Sequence, residues 1–343
     1  MTTPAYSRAG VDQDLADSAV TALVSALKPQ SSSFVSRQVL RSGHFANVIR
    51  LEGNIGIALS ADGVGTKILV AEQLAKFDTI GIDCIAMNVN DLICVGAEPL
   101  AMLDYLAVQV ADPKREAEIG TGLRRGAELA GIEIPGGELA QLNEVIHGFD
   151  IAGACFGHVA IDQIVAGKAI APGDVILGLP SSGLHANGYT LAREAFEGIP
   201  LKEDPEGRLG KSLGDALIEP TEIYVKPVIE LLRSEVPVHG LAHITSKGFG
   251  NLIRLEAEVG YEIDDPIQVP EIFRLIQERR SVSNAEMREV FNLGCGFCVV
   301  TPAEAEEEAL GMLRRDYPDA KRVGLVIDGP RTVRYPAGWP SAA

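Results

Sequence analysis

Positive charge is scarce in this 343-residue chain: 30 Lys and Arg stand against 47 Asp and Glu, a formal net charge of −17. The acid is spread along the sequence and not gathered in a tail. Such a surface repels phosphate backbones and anionic lipid, so neither nucleic acid nor membrane is an expected partner. Long apolar runs are missing too: no window approaches the ~18 apolar residues of a membrane span. The opening MTTPAYSRAGVDQDLADS is polar and acidic, without the apolar stretch of a secretory signal. Cysteine is sparse and odd in number, with Cys84, Cys94, Cys155, Cys295 and Cys298 all in apolar surroundings, which suits free thiols in a reducing, cytoplasmic setting. Cys295 and Cys298 form a CxxC, but residues three apart on a strand point to opposite faces. No second pair completes a zinc set, so a metal is not expected there. The 36 Gly and 19 Pro follow no collagen-like period.

The length exceeds what one core usually supports, so two domains are expected. Residues 46% hydrophobic and 22% charged match an ordinary globular composition. Apolar positions at 15, 19, 20, 23, 24 and 27 predict a helix over 14–27, closed by Lys28-Pro29. A strand is predicted over 54–60, then a glycine-rich turn, a helix over 67–75 and a longer one over 79–95. A strand over 100–110, a helix from Pro113 to Ala130 capped by Gly131, and a strand over 151–161 follow. The polar Pro/Gly segment AGKAIAPGD at 166–174 is the best boundary, dividing an N-terminal domain of 1–170 from a C-terminal domain of 171–343. The fold class expected is α/β (α+β), in two mixed domains.

If the substrate is a phosphate, so acidic a protein must neutralise it locally, with a cation, helix N-termini or a few chosen basic residues. Ala61-Asp62-Gly63-Val64-Gly65-Thr66-Lys67 lies between a predicted strand and a predicted helix, where free N–H groups and close backbone approach favour phosphate. It does not satisfy the P-loop pattern. Asp62 would repel a bare phosphate, and fits there chiefly as a ligand of a bridging Mg²⁺. The alternative is a turn with Thr66 as a helix cap. The helix over 79–95 is apolar on most sides yet carries Asp83, Asn88, Asn90 and Asp91, whose polar groups need partners. Asp83, Asn90 and Asp91 share a face, so a metal with its waters is one solution and local hydrogen bonding, with Asp83 as cap, is the other. Gly136-Gly137-Glu138 offers a further carboxylate on a predicted turn. Ser181-Ser182-Gly183-Leu184-His185-Ala186-Asn187-Gly188-Tyr189 is a second strand–loop–helix junction, where His185 is placed for acid–base work or is merely exposed, with Asn187 as cap. His243 to Asn251 forms a third loop, in which Thr245 is a possible cap.

Taken together, YSRAGVD at 6–12, ADGVGTK at 61–67, DTIGIDCIAMNVNDLICVGAEPLAMLDYLA at 78–107, GGE at 136–138, SSGLHANGYTLAR at 181–193, HIT at 243–245 and FNLGCG at 291–296 closely resemble the phosphoribosylformylglycinamidine cyclo-ligases (aminoimidazole ribonucleotide synthetases). The resemblance runs in order over nearly the whole chain. It implies that ATP activates the formyl amide oxygen of formylglycinamidine ribonucleotide, that ring closure expels phosphate, and that aminoimidazole ribonucleotide and ADP are the other products. It further implies that Asp62, Asp91 and Glu138 hold Mg²⁺ and nucleotide phosphates, and that Gly63, Gly65, Thr66 and Lys67 form a phosphate-facing turn. Lys28 would contact nucleotide, and His185 with Ser182 and Asn187 would face substrate. The implied assembly is a homodimer whose N-terminal strands close into a shared barrel. Another ATP-dependent member of the superfamily and a catalytically silent nucleotide-binding paralogue are the alternatives.

Overall fold

The computed structural model describes residues 13–27, 36–40 and 43–341. Lys28, the YSRAGVD segment up to residue 12 and Ser42 lie outside them. Helix α1 (Gln13–Ala26) covers the predicted 14–27 segment up to Ala26, and its apolar residues Leu15, Val20 and Leu23 are exposed, as is Leu27 just beyond it.

The first sheet is built from β1 (Asn47–Glu52), β2 (Ile55–Gly63), β3 (Glu98–Val108), β4 (Glu133–Gln141) and β5 (Phe149–Ala160), in the order β1-β2-β5-β3-β4. Only β3 and β4 run parallel, because α4 (Pro113–Ala130) makes the crossover between them. Asp112 caps α4 by accepting from Lys114 N, Pro113 opens it, and Gly131 ends it in the left-handed region at φ 69°. On β5 the odd-numbered residues are buried and the even-numbered ones are more open, the period-two signature of a sheet with one covered face.

The covering element is α3 (Ile80–Ile93), preceded by the short α2 (Ile68–Leu74). Nearly every residue of α3 is buried, because α4 flanks it on one side, the first sheet lies below it and the second half of the chain lies above it. The α3–α4 contact depends on missing side chains. A Cβ on Gly81 would lie 2.1 Å from Leu123 N, and one on Gly122 would lie 2.5 Å from Asp78 O. Gly81→Ala is therefore expected to cost about 3 kcal/mol. Urea unfolding would read this as a lower midpoint, and an unchanged midpoint would contradict the backbone contact.

The second half forms a six-stranded sheet, β11-β8-β10-β6-β9-β7, from β6 (Val175–Pro180), β7 (Gly240–His243), β8 (Gly260–Ile263), β9 (Cys295–Thr301), β10 (Lys321–Ile327) and β11 (Val333–Arg334). All pairs are antiparallel except β11 with β8. Strand β9 is buried at every position, which explains its unbroken apolar run. Helices α5 (Tyr189–Ala195), α6 (Leu213–Ile218), α8 (Glu271–Arg280) and α9 (Asn284–Val290) gather a second core around Leu191, Phe196, Phe273 and Phe291. Helices α7 (Val225–Leu232) and α10 (Glu306–Leu313) join the main core. The strands of the two sheets fall on either side of the 166–174 turn.

Three local expectations change. Strand β2 runs on through Asp62 and Gly63, so the turn starts only at Val64. Gly136-Gly137-Glu138 lies inside β4 and not on a turn, because ladder bonds to β3 hold it extended. Cys295 and Cys298 do not diverge: their sulfurs are 3.7 Å apart, since the β6–β9 register shifts at Pro180 and twists the start of β9.

Candidate active site

The sheet register decides where the acids point. Asp62 pairs with Gly153, Gly153 with Asp104, and Asp104 with Gly137, a row across four strands. Paired residues face the same side. Asp62 and Asp104 therefore both face α3, and the two glycines in the row keep the space beside them free of side chains. A Cβ on Gly137 would sit 2.2 Å from Asp104 Oδ1. Glu138 is one residue further along, beside Tyr105 and Gly63's row, and so projects from the opposite face. The expectation that Glu138 joins Asp62 and Asp91 is thus corrected by strand alternation. Among the described residues no three His, Cys, Asp or Glu side chains are placed together to hold a metal ion.

Asp62 is fixed by its backbone. Its N–H donates to Asn88 Oδ1 at 2.9 Å, Asn88 Nδ2 donates to its carbonyl at 3.1 Å, and its own Oδ1 accepts from Gly63 N at 2.7 Å. The residue keeps solvent contact, yet protein surrounds its carboxyl on most sides. Desolvation foremost, opposed by the Gly63 N–H and reinforced by the Asp91 charge, pushes its pKa up to about 6. His243 and Arg254 act in the other direction. Val64 to Lys67 then form a single 3-10 turn, with Gly65 at φ 68° and Thr66 Oγ1 3.3 Å from Thr190 Oγ1 across the interdomain junction.

The polar residues of α3 go to separate partners. Asp83, expected as helix cap or metal-facing group, instead accepts from Lys67 Nζ at 2.8 Å with both side chains fully buried. Asn90 donates to Glu222 O at 2.8 Å and accepts from Tyr224 N at 3.0 Å, tying the helix to the start of α7. Asp91 meets the buried His243 ring, Oδ1 to Nδ1 at 2.9 Å, while His243 Nε2 lies 3.5 Å from Asn90 Nδ2. A ring protonated on Nδ1 satisfies both contacts. Arg254 lies close enough for its charge to act on Asp62 and clasps the carbonyls of Gly43 and His44 at 3.0 and 2.8 Å, with its guanidinium over Phe45.

Lys67 is a second correction. Its ammonium is not on the open side of the turn: besides Asp83 it donates to His185 O at 3.1 Å and Glu219 O at 2.5 Å, and it is wholly buried. Lys67 ends the 3-10 turn and leads straight into α2, with its side chain directed inward. His185 is likewise neither exposed nor open to solvent. It is 1% exposed, with φ 63°, and its Nε2 accepts from Ser182 N at 3.3 Å. Burial, then the charges of His243 and Lys67, hold its pKa well below the ordinary histidine value. Ser182 Oγ donates to Pro220 O at 2.6 Å. Asn187 does not cap α5, whose N-cap is Gly188, and its Oδ1 is buried without a hydrogen-bond partner. Lys247, and not Thr245, stands at the N-cap of the third loop's 3-10 turn.

Asp62, Asp91, Thr66 and the 181–190 loop thus line one interdomain seam, joined by His243 and Arg254, whose part the sequence did not single out. No local signal could have found the Asp91–His243 pair, since 152 residues separate its members.

Residues 43–159 match the AIR synthase related protein, N-terminal domain, and residues 171–335 match the corresponding C-terminal domain. The phosphoribosylformylglycinamidine cyclo-ligase of Methanobrevibacter smithii is 47% identical over 94% of this chain and 94% of its own length. The chain belongs to this cyclo-ligase family. The cyclo-ligase of Methanothermobacter thermautotrophicus is 48% identical over 90% of each chain. In fold, the chain is similar to AaThiL complexed with AMPPCP and TMP, with a TM-score of 0.64 at 16% identity over 92% of each chain.

Proposed function

We propose that this chain closes the imidazole ring of formylglycinamidine ribonucleotide in an ATP-dependent reaction. ATP phosphorylates the formyl amide oxygen, the amidine nitrogen attacks the activated carbon, and phosphate leaves, giving aminoimidazole ribonucleotide and ADP. The observation that carries this reading is the 47% identity to a named cyclo-ligase over nearly the full length of both chains. An amide oxygen is a poor leaving group until phosphorylated, and phosphoryl transfer mainly requires positioning and charge neutralisation.

Asp62 and Asp91 fit a hard cation: both offer carboxylate oxygens, and the Asp91 charge acts on Asp62. Mg²⁺ commonly uses one or two carboxylates with substrate phosphates and waters, so the absence of a third acid at this point does not oppose it. When bound, the ion would neutralise phosphate charge. Gly65 and Thr66 of the turn would offer N–H groups to the nucleotide, whereas those of Gly63 and Val64 are taken by Asp62 Oδ1 and Ile151 O, and Lys28 is assigned a nucleotide contact by resemblance alone. Ser182, His185 and Asn187 would face the amidine substrate, with neutral His185 accepting or relaying a proton from its fixed place in the loop.

The outer face of the first sheet supports a homodimer. Ile55, Leu59, Leu103 and Tyr105 point away from α3 and are between 41% and 51% exposed, a patch of the kind that marks an interface. A second copy placed against it would close the strands into a shared barrel and protect them from other pairing. Leu59→Asp is expected to shift the protein to monomer in light scattering. An unaltered mass would show that the partner surface lies elsewhere. The division into domains 1–170 and 171–343 and a cytoplasmic location complete the proposal. No described helix is long and apolar enough to cross a membrane.

Steady-state ADP release with Mg²⁺-ATP, with and without formylglycinamidine ribonucleotide, tests the reaction. Substrate-dependent release, together with rescue of a purine auxotroph lacking the cyclo-ligase, is expected. Nucleotide binding without turnover would identify a silent paralogue.

A further inference from the structure

We infer that Lys67 and Asp83 are positioning residues, which hold the His185 loop against the N-terminal domain through a closed ring of hydrogen bonds, and that Lys67 is not a phosphate ligand. The inference rests on the reading of His185 as a group acting on substrate. A lysine ammonium has three donors. Those of Lys67 are taken by Asp83 Oδ1, His185 O and Glu219 O, so none remains for a phosphate oxygen.

From Asp83 the ring continues through the C-terminal half. Asp83 Oδ1 also accepts from Thr221 N at 2.8 Å and Thr221 Oγ1 at 2.6 Å. The preceding residue, Pro220, gives its carbonyl to Ser182 Oγ, and Ser182 N donates to His185 Nε2. The circuit Lys67, Asp83, Thr221, Pro220, Ser182, His185 thus closes on itself. It grips His185 twice, at its carbonyl and at its imidazole.

His185 requires such a grip. Its φ of 63° is one that a residue with a Cβ adopts only when the surroundings impose it. The imidazole is also wedged against β9, where a Cβ on Gly296 would lie 2.6 Å from His185 Cε1. A buried charge pair adds little net stability relative to well-packed apolar groups, whereas it fixes one arrangement of several elements. Here the arrangement fixed is the backbone of the loop bearing His185.

The test uses the full chain with Lys67→Met and with the double variant Lys67→Met/Asp83→Leu, which removes both buried charges at similar volume. The double variant is expected to unfold below the wild-type temperature, because Thr221 and the His185 and Glu219 carbonyls lose partners, but above Lys67→Met, which leaves the Asp83 charge buried and unpaired. The kcat of the double variant should stay down by ~10²-fold, the loss that a misplaced group produces. Its KM for ATP should remain within about threefold. Amide exchange over 183–188 should quicken by about tenfold or more, while both sheets keep their protection. Recovery of wild-type kcat in the double variant would reduce the pair to a structural role and overturn the inference. So would unchanged exchange in the loop, or a rise of about tenfold in KM for ATP at unchanged kcat, the mark of a lost phosphate contact. If the wild-type chain releases no ADP in response to the amidine substrate, the functional reading fails, and the exchange measurement still decides whether the ring holds the loop.

Discussion

Replacing His185 with alanine is expected to lower kcat by ~10²- to 10⁴-fold, the range of help given by a placed acid or base. The ring is held neutral by burial and by the nearby charges of His243 and Lys67. At neutral pH it therefore acts as a hydrogen-bond acceptor, the role it already plays toward Ser182 N. The sign of the linked stability change follows. The unfolded chain binds a proton at this histidine near its ordinary value of 6.5 while the folded chain does not, so wild-type stability rises with pH up to and through that value. The alanine variant should lose that rise. Parallel measurements of ADP release and thermal unfolding between pH 5 and 8 would check both, and an undiminished kcat would make His185 a packing residue.

Asp62→Asn should show opposite effects on activity and stability. Turnover is expected to fall by at least ~10²-fold, because a charge facing phosphate and its cation is removed. The ligand-free protein should become more stable above about pH 6. Asp62 is raised from 3.8 to about 6, so between those values the folded chain holds a proton that the unfolded chain has lost. Wild-type stability thus declines as pH rises through that window and stays lower above it, whereas asparagine, with no charge, is indifferent. Asparagine also keeps an Oδ1 for the Gly63 N–H. The gap in melting temperature should therefore open between pH 4 and 6 and then level off, and Mg²⁺ should narrow it. Asp91→Asn should cost a similar factor in turnover and leave only a neutral hydrogen bond to His243 Nδ1. Wild-type turnover in both variants would remove the metal site.

Gain in stability with loss of activity is what a site built around uncompensated charge produces. The seam brings Asp62 and Asp91 together at the cost of mutual repulsion, with Arg254 and His243 as the nearest relief. In a chain of net charge −17, the proposed site would solve phosphate binding locally, with acids that recruit a cation and not with a basic groove.

Much of the architecture was legible in the sequence because it rests on local rules. Pro113 and Gly131 bracket α4 through their own backbone preferences, β9 declares its double burial by an unbroken apolar run, and the polar turn at 166–174 separates the strands of the two sheets. The excess of polar groups on the buried α3 likewise announced that partners must exist. Motif order carried the family, since each segment keeps its spacing over nearly the whole chain.

The partners themselves were decided only by tertiary structure. Whether Lys67 meets phosphate or Asp83 depends on one 3-10 turn, and whether Glu138 meets Asp62 depends on which of two alternating faces β4 presents. His185 reads as a loop histidine, placed for acid–base work or merely exposed, until Lys67, Tyr224 and β9 close around it. The Asp91–His243 pair joins two halves of the chain that share no local pattern. The sequence by itself determined the elements, the two-part division and the family, because backbone preference and hydrophobic period act within a few residues. The direction of each charged side chain was settled only when two sheets and a buried helix met, because desolvation makes every charge seek a partner and only the assembled fold supplies one.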